Sequence, residues 1–161
     1  MTGNLERKTL RKEERICSKK HIDQLFNGGT ARSMSSFPLR VVYDTVARPG
    51  SDASPQAAIL ISVPKRHFHH AVDRNRVKRQ VREAYRQNRH LLADVLNTMP
   101  DRMLLLSFIW MADRHLPSSD VAQRLQHLLA RVATQLSSAA SPASVTDSCN
   151  PVATSSSPQQ P

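Results

Sequence analysis

The chain has 161 residues, 39% of them hydrophobic and 22% charged, enough for one domain with a real core and too few for two comfortable ones. Its 23 Lys and Arg against 13 Asp and Glu give a formal charge of +10, which suits a polyanionic partner: nucleic acid, acidic protein or an anionic membrane. The longest apolar run, residues 103–112, is about half a bilayer span, and the charged N-terminus is no secretory signal, so a soluble, cytoplasmic protein is expected.

Residues 1–15 read as a flexible basic arm. Residues 19–27 are expected to form a short helix, with Ser18 as N-cap, Ile22, Leu25 and Phe26 on one side, and Gly28-Gly29 ending it. Two strands follow. Residues 39–46 place Leu39, Val41 and Tyr43 on one face, residues 57–63 are mostly apolar, and a turn-rich stretch connects them. Beyond Pro64 comes a basic, His-rich loop, then a helix of about 23 residues with Asp73 as N-cap. Strand 103–111 is apolar without interruption, which implies burial on both faces. Residues 117–120 open a last amphipathic helix with Val121, Leu125, Leu128, Leu129 and Val132 along one side. The order α-β-β-α-β-α predicts an α+β chain, a compact two-layer α/β sandwich over residues 1–136. Residues 137–161, rich in Ser and Pro with one charge, are expected to be a disordered tail. Cys17 and Cys149 match no zinc spacing and read as two reduced thiols.

The charge is concentrated. Residues 65–90 hold nine basic side chains against two acidic ones, whereas everything after residue 90 is nearly neutral. On a helical wheel Val77, Val81, Ala84, Tyr85, Leu91, Leu92 and Val95 fall within about 120°, and Lys78, Arg79, Arg82, Arg86 and Arg89 gather away from them. With Arg76 at the edge of this stripe, five of the six bases are Arg, whose planar fork suits phosphate. An ordinary solvated face would mix signs to gain i,i+4 pairs; here Glu83 is the only acid, and like charges repel unless a polyanion meets them. Arg74, Asn75 and Arg76 stand at the start of the helix. The Asn amide either faces bases and riboses or satisfies backbone groups there.

Residues 71–86, AVDRNRVKRQVREAYR, resemble the signature of the bacterial ribonuclease P protein component, in which an Arg-Asn-Arg motif opens a basic helix. Residues 16–29 are similar to that family's N-terminal helix and residues 60–72 to its strand and loop before the motif, so the likeness covers residues 10–135. It implies a fold of the ribosomal protein S5 domain 2-like kind. It also implies a subunit of ribonuclease P, the tRNA 5′-maturing endoribonuclease, with the catalytic RNA and precursor tRNA as partners and neither DNA nor membrane. By this resemblance Arg74, Asn75, Arg76, Lys78, Arg79 and Arg82 contact the catalytic RNA, and Arg86 and Arg89 continue the same stripe. A cleft between the basic helix and the sheet would hold the single-stranded 5′ leader, with Lys65 and Arg66 as its basic pair and Phe26 and Tyr43 as its aromatics. Ile22 stands where an aromatic is common, and Pro64 replaces a usual Ser. The chemistry would belong to the RNA and its magnesium ions, with no cofactor bound by the protein alone and no catalytic side chain.

His67, His69 and His70 lack a Cys or carboxylate at ligand spacing, and a solvated RNA-facing loop is expected in place of a zinc site. No nucleophile motif frames a Ser, and no Gly-rich phosphate loop is present. The alternative reading is a structural RNA-binding protein, such as a ribosomal one, with no role in tRNA cleavage. A DNA-binding helix-turn-helix fits poorly, because the basic helix lies between strands. A membrane-surface helix fits worse, because the core needs its apolar face.

Overall fold

The computed structural model describes residues 10–50 and 54–140. The chain runs α1 (Lys19–Asn27), β1 (Arg32–Ser36), β2 (Leu39–Ala47), β3 (Ala57–Ser62), α2 (Ala71–Asn88), a 3-10 turn (Arg89–Leu92), α3 (Ala93–Thr98), β4 (Arg102–Trp110) and α4 (Ser118–Ala140). One mixed sheet has the order β1-β2-β4-β3. β2 is antiparallel to both β1 and β4, and β3 joins β4 in parallel through the α2 crossover.

The α+β class and the expected succession of elements are present, with additions and shifted boundaries. β1 has the sequence RSMSS, with Met34 as its one buried residue; a short polar strand of this kind suits a sheet edge. The long helix is divided, because α2 ends at Asn88 and the next four residues tighten into a 3-10 turn. Asp73 is not the N-cap. The helix starts at Ala71 with His70 in the cap position, and Asp73 lies in the first turn, where its charge still complements the helix dipole. α4 runs to Ala140, so residues 137–140 are helical and do not belong to the tail. The Ser137 and Ser138 hydroxyls there donate to the carbonyls of Ala133 and Thr134. Residues 141–161, including Cys149, and residues 1–9 of the expected arm lie outside the described residues.

Strand alternation separates two cores. Leu39, Val41 and Tyr43 of β2 and Leu104, Leu106, Phe108 and Trp110 of β4 face α2 and α4, where they meet Val77, Val81, Ala84, Tyr85, Val121, Leu125 and Leu128. Met103 and Leu105 point the other way and pack with Val42, Val46 and Ala58 beneath Leu25 of α1 and Ile16. β4 is therefore buried on both faces, as its unbroken apolar sequence implies. Burying Val77 and Val81 supplies about 1.5–3 kcal/mol each. A like-charged i,i+4 pair costs only about 0.2–0.5 kcal/mol, so α2 forms despite its cationic side.

α1 covers only part of the second sheet face. Arg40 is exposed there, and Leu60, Ser62 and Ile109 are half-buried. The helix stops where backbone closeness demands glycine: a Cβ on Gly28 would lie 2.4 Å from the Gln24 carbonyl oxygen, and Gly29 has φ +74°. The free edge of β3 is closed by residues 14–16. The Ile59 amide donates to the Glu14 carbonyl at 2.8 Å, and the Ile16 amide to the Ile59 carbonyl at 2.9 Å. The last residues of the expected flexible arm are thus pinned to the sheet.

Candidate nucleic-acid interface

The outward side of α2 divides into two halves. In the N-terminal half, Arg76, Lys78, Arg79 and Arg82 have neither a hydrogen bond nor an ion pair among the described residues. Partial burial, followed by the neighbouring guanidiniums of Arg15 and Arg79, pushes the Arg82 pKa below its ordinary value. In the C-terminal half, Arg86 donates from Nε to Glu83 Oε2 at 2.9 Å, and this bond holds the Glu83 carboxyl below the usual carboxylate range. Arg89, with a side chain only 18% exposed, meets Glu14 Oε1 at 3.3 Å. The stripe looks uniform in the sequence; in the fold, its positive charge is offset at the far end and left uncompensated near the helix start.

Arg74, the first member of the motif, turns inward. Its Nη1 donates to the carbonyls of Phe68 at 2.8 Å and His69 at 2.7 Å, which ties the preceding loop to the helix. Asn75 and Arg76 are exposed, and Asn75 has no internal partner among the described residues. Lys65 and Arg66 are exposed just beyond the end of β3. His67 is not solvated as expected: its Nδ1 pairs with Asp113, while its Nε2 accepts from Arg66 Nε at 3.3 Å. Phe68 is buried and stacks on His115 with ring centroids 4.6 Å apart, and His115 Nε2 donates to Asp73 Oδ1 at 3.1 Å. Gln80 donates to the Leu116 carbonyl at 2.7 Å. The segment between β4 and α4 therefore fixes the start of α2, a role with no signal in local sequence.

The expected leader cleft is not assembled as proposed from the resemblance. α2 packs directly on the sheet, with Val77, Val81, Ala84 and Tyr85 filling the interface. Tyr43 is 2% exposed on that covered face, and its hydroxyl donates to Gln135 of α4; burial raises its pKa. Such a ring offers no surface to a base. Phe26, 47% exposed, and the half-buried Ile22 belong to α1 on the opposite face, so Phe26 and Tyr43 line no common cleft. Ile22 instead packs with the cluster that includes Leu60 and Ile109 on the second face, whose open part also carries Arg40 and Ser62, and Phe26 lies one turn further along α1. In the middle of this face the Ser107 hydroxyl is buried without a hydrogen-bond partner among the described residues. Lys65 and Arg66 follow Ser62 at the same end of the sheet.

Sequence reasoning missed Arg15 and Arg40. The alternation of β2 could have found Arg40, because its neighbours Leu39 and Val41 point inward; Arg15 had no such signal. Among the described residues no group of three His, Cys, Asp or Glu is placed to hold a metal ion, and no helix is long and apolar enough to cross a membrane.

The family profile described as Ribonuclease P matches residues 10–133. The ribonuclease P protein component of Porphyromonas gingivalis is 39% identical over 134 residues, covering 81% of this chain and 91% of that protein. Two solved structures share the fold. The RNase P protein of Thermotoga maritima superposes with a TM-score of 0.51 at 21% identity, covering 73% of this chain and 96% of that one. A mutant RNase P protein of Staphylococcus aureus gives 0.53 at 20% identity, covering 76% and 90%.

Proposed function

Because this chain belongs to the ribonuclease P protein family, the protein component of the holoenzyme that matures tRNA 5′ ends, we propose that it meets two RNAs on two surfaces. The N-terminal half of α2 seats the catalytic RNA. The open part of the second sheet face, bordered by Phe26 and Ile22 and by Lys65 and Arg66, takes the single-stranded leader of precursor tRNA.

The observation that carries this reading is the uncompensated run Arg76, Lys78, Arg79 and Arg82 on a helix whose other side is committed to the core. Guanidinium forks match phosphate oxygens, and each phosphate they neutralise releases condensed counterions. The exposed Asn75 amide, without an internal partner, supports a contact to base or ribose beside them. Arg74 acts by clamping the loop that carries Lys65 and Arg66. Arg86 and Arg89, with carboxylate partners, contribute less. On the second surface the exposed Phe26 ring gives a stacking face that accepts any unpaired base. Hydrolysis belongs to the RNA. In this reading the magnesium ions of the reaction belong to the RNA, and the protein supplies charge neutralisation and grip. This reading places the chain in the cytoplasm.

The test is to add the full chain to a bacterial ribonuclease P RNA at low magnesium and follow 5′ maturation of precursor tRNA. The chain should restore cleavage where the RNA alone is slow, and the holoenzyme should bind leader-bearing precursor more tightly than mature tRNA. A folded chain that binds the RNA without stimulating cleavage would return the assignment to a structural RNA-binding role.

A further inference from the structure

The N-terminal segment is held beside α2 by three independent contacts. The β-type pairing of Glu14 and Ile16 with Ile59 fixes its backbone, the Ile16 side chain is buried in the cluster beneath α1, and the Glu14 carboxylate meets Arg89. These anchors leave Arg15 exposed, its guanidinium with no hydrogen bond or ion pair among the described residues. Its charge acts on Arg82, as does that of Arg79 one turn earlier on the same helix. The Glu14–Arg89 ion pair sets residue 15 beside the outward row of α2, on which Arg82 stands two turns before Arg89, so guanidiniums from two distant parts of the chain lie on one side of the fold. Two acids next to them in the chain are engaged elsewhere, Glu14 with Arg89 and Glu83 with Arg86.

We infer that Arg15, Arg79 and Arg82 form one composite site for an RNA phosphodiester, to which the N-terminal segment contributes Arg15. The inference rests on the reading of α2 as the face for the catalytic RNA and extends that face beyond the helix. Convergent forks surround a phosphate from two sides, which a single helical row cannot do, because its side chains all leave one cylinder. The repulsion among the three groups in the free protein is relieved when the anion arrives. Pinning Arg15 on the β3 edge also means that its backbone need not be ordered on binding.

The experiment titrates the full chain against a bacterial ribonuclease P RNA across a range of salt concentrations, using Arg15→Ala, Arg82→Ala and the double variant. Arg15→Ala should weaken binding by about tenfold and lower the log–log salt slope by about one. The double variant should lose less than the two single losses combined, because both side chains serve one phosphate. Arg15→Lys should retain the slope while binding less tightly. The free Arg15→Ala protein should melt no lower than the parent at low salt, since a repulsive charge has been removed. Wild-type affinity and slope in Arg15→Ala, where Arg82→Ala changes both, would overturn the composite site while sparing the α2 reading. If Arg82→Ala also binds normally, the α2 reading falls and the composite site falls with it. A marked loss of melting temperature in Arg15→Ala would show a packing residue and would likewise overturn the proposal.

Discussion

Replacing Tyr43 distinguishes a core residue from a leader contact. The ring is enclosed by the cluster that joins β2 to α4, and its hydroxyl reaches Gln135, so truncation leaves a cavity rather than an empty patch of surface. Aromatic truncations of this kind cost about 3–5 kcal/mol. For a domain of this size, with about 3–5 °C lost per kcal/mol, Tyr43→Ala should lower the melting temperature by about 9–25 °C. Tyr43→Phe keeps the ring and removes only the hydroxyl bond, a loss of about 0.5–1.5 kcal/mol. The assay pairs a thermal melt of the free protein with holoenzyme affinity for precursor tRNA and for mature tRNA. Both variants should keep the preference for leader at temperatures where they remain folded, and Tyr43→Ala should impair all activities together as it unfolds. A Tyr43→Ala protein that melts like the parent yet loses its leader preference would refute the burial argument and return the ring to the cleft.

Phe26→Ala should behave in the opposite way: an exposed ring contributes little to the fold, so stability should hold while leader-bearing precursor binds more weakly by about 1–3 kcal/mol per stacked base. Equal loss for mature tRNA would count against a leader surface at α1. Deleting the Ser- and Pro-rich residues 141–161 should leave the melting temperature and cleavage nearly unchanged, because the described core is complete within α4; a large drop in the melt would contradict this.

What the sequence made legible was whatever repeats with a local period. The apolar sides of α2 and α4, the alternation of Leu39, Val41 and Tyr43, and the two-sided burial of residues 103–110 all follow from spacing and composition. β1 escaped because an edge strand needs one inward residue, and Met34 among serines gives no readable alternation. Alternation groups Tyr43 with Leu39 and Val41, while its place in the leader cleft comes from the resemblance; the fold puts that shared face beneath α2 and α4, which alternation alone does not specify. The pairing of Glu83 with Arg86 is legible at three residues' distance, whereas that of Glu14 with Arg89 spans 75 positions and depends on the fold. The pinning of Arg15 is hidden for the same reason, because the hydrogen bonds that hold residues 14–16 are made by backbone.

The central claim is that the uncompensated half of α2 is the surface that grips the catalytic RNA. The most direct measurement is the affinity of Arg79→Glu/Arg82→Glu for a bacterial ribonuclease P RNA as a function of salt, beside a melt of the same protein. Both positions point away from the core, so the fold should be retained. Wild-type affinity should fall by about tenfold or more between about 50 and 200 mM salt, and the variant should bind far more weakly with a flatter dependence. A folded variant that binds with the affinity and salt slope of the parent would contradict the account.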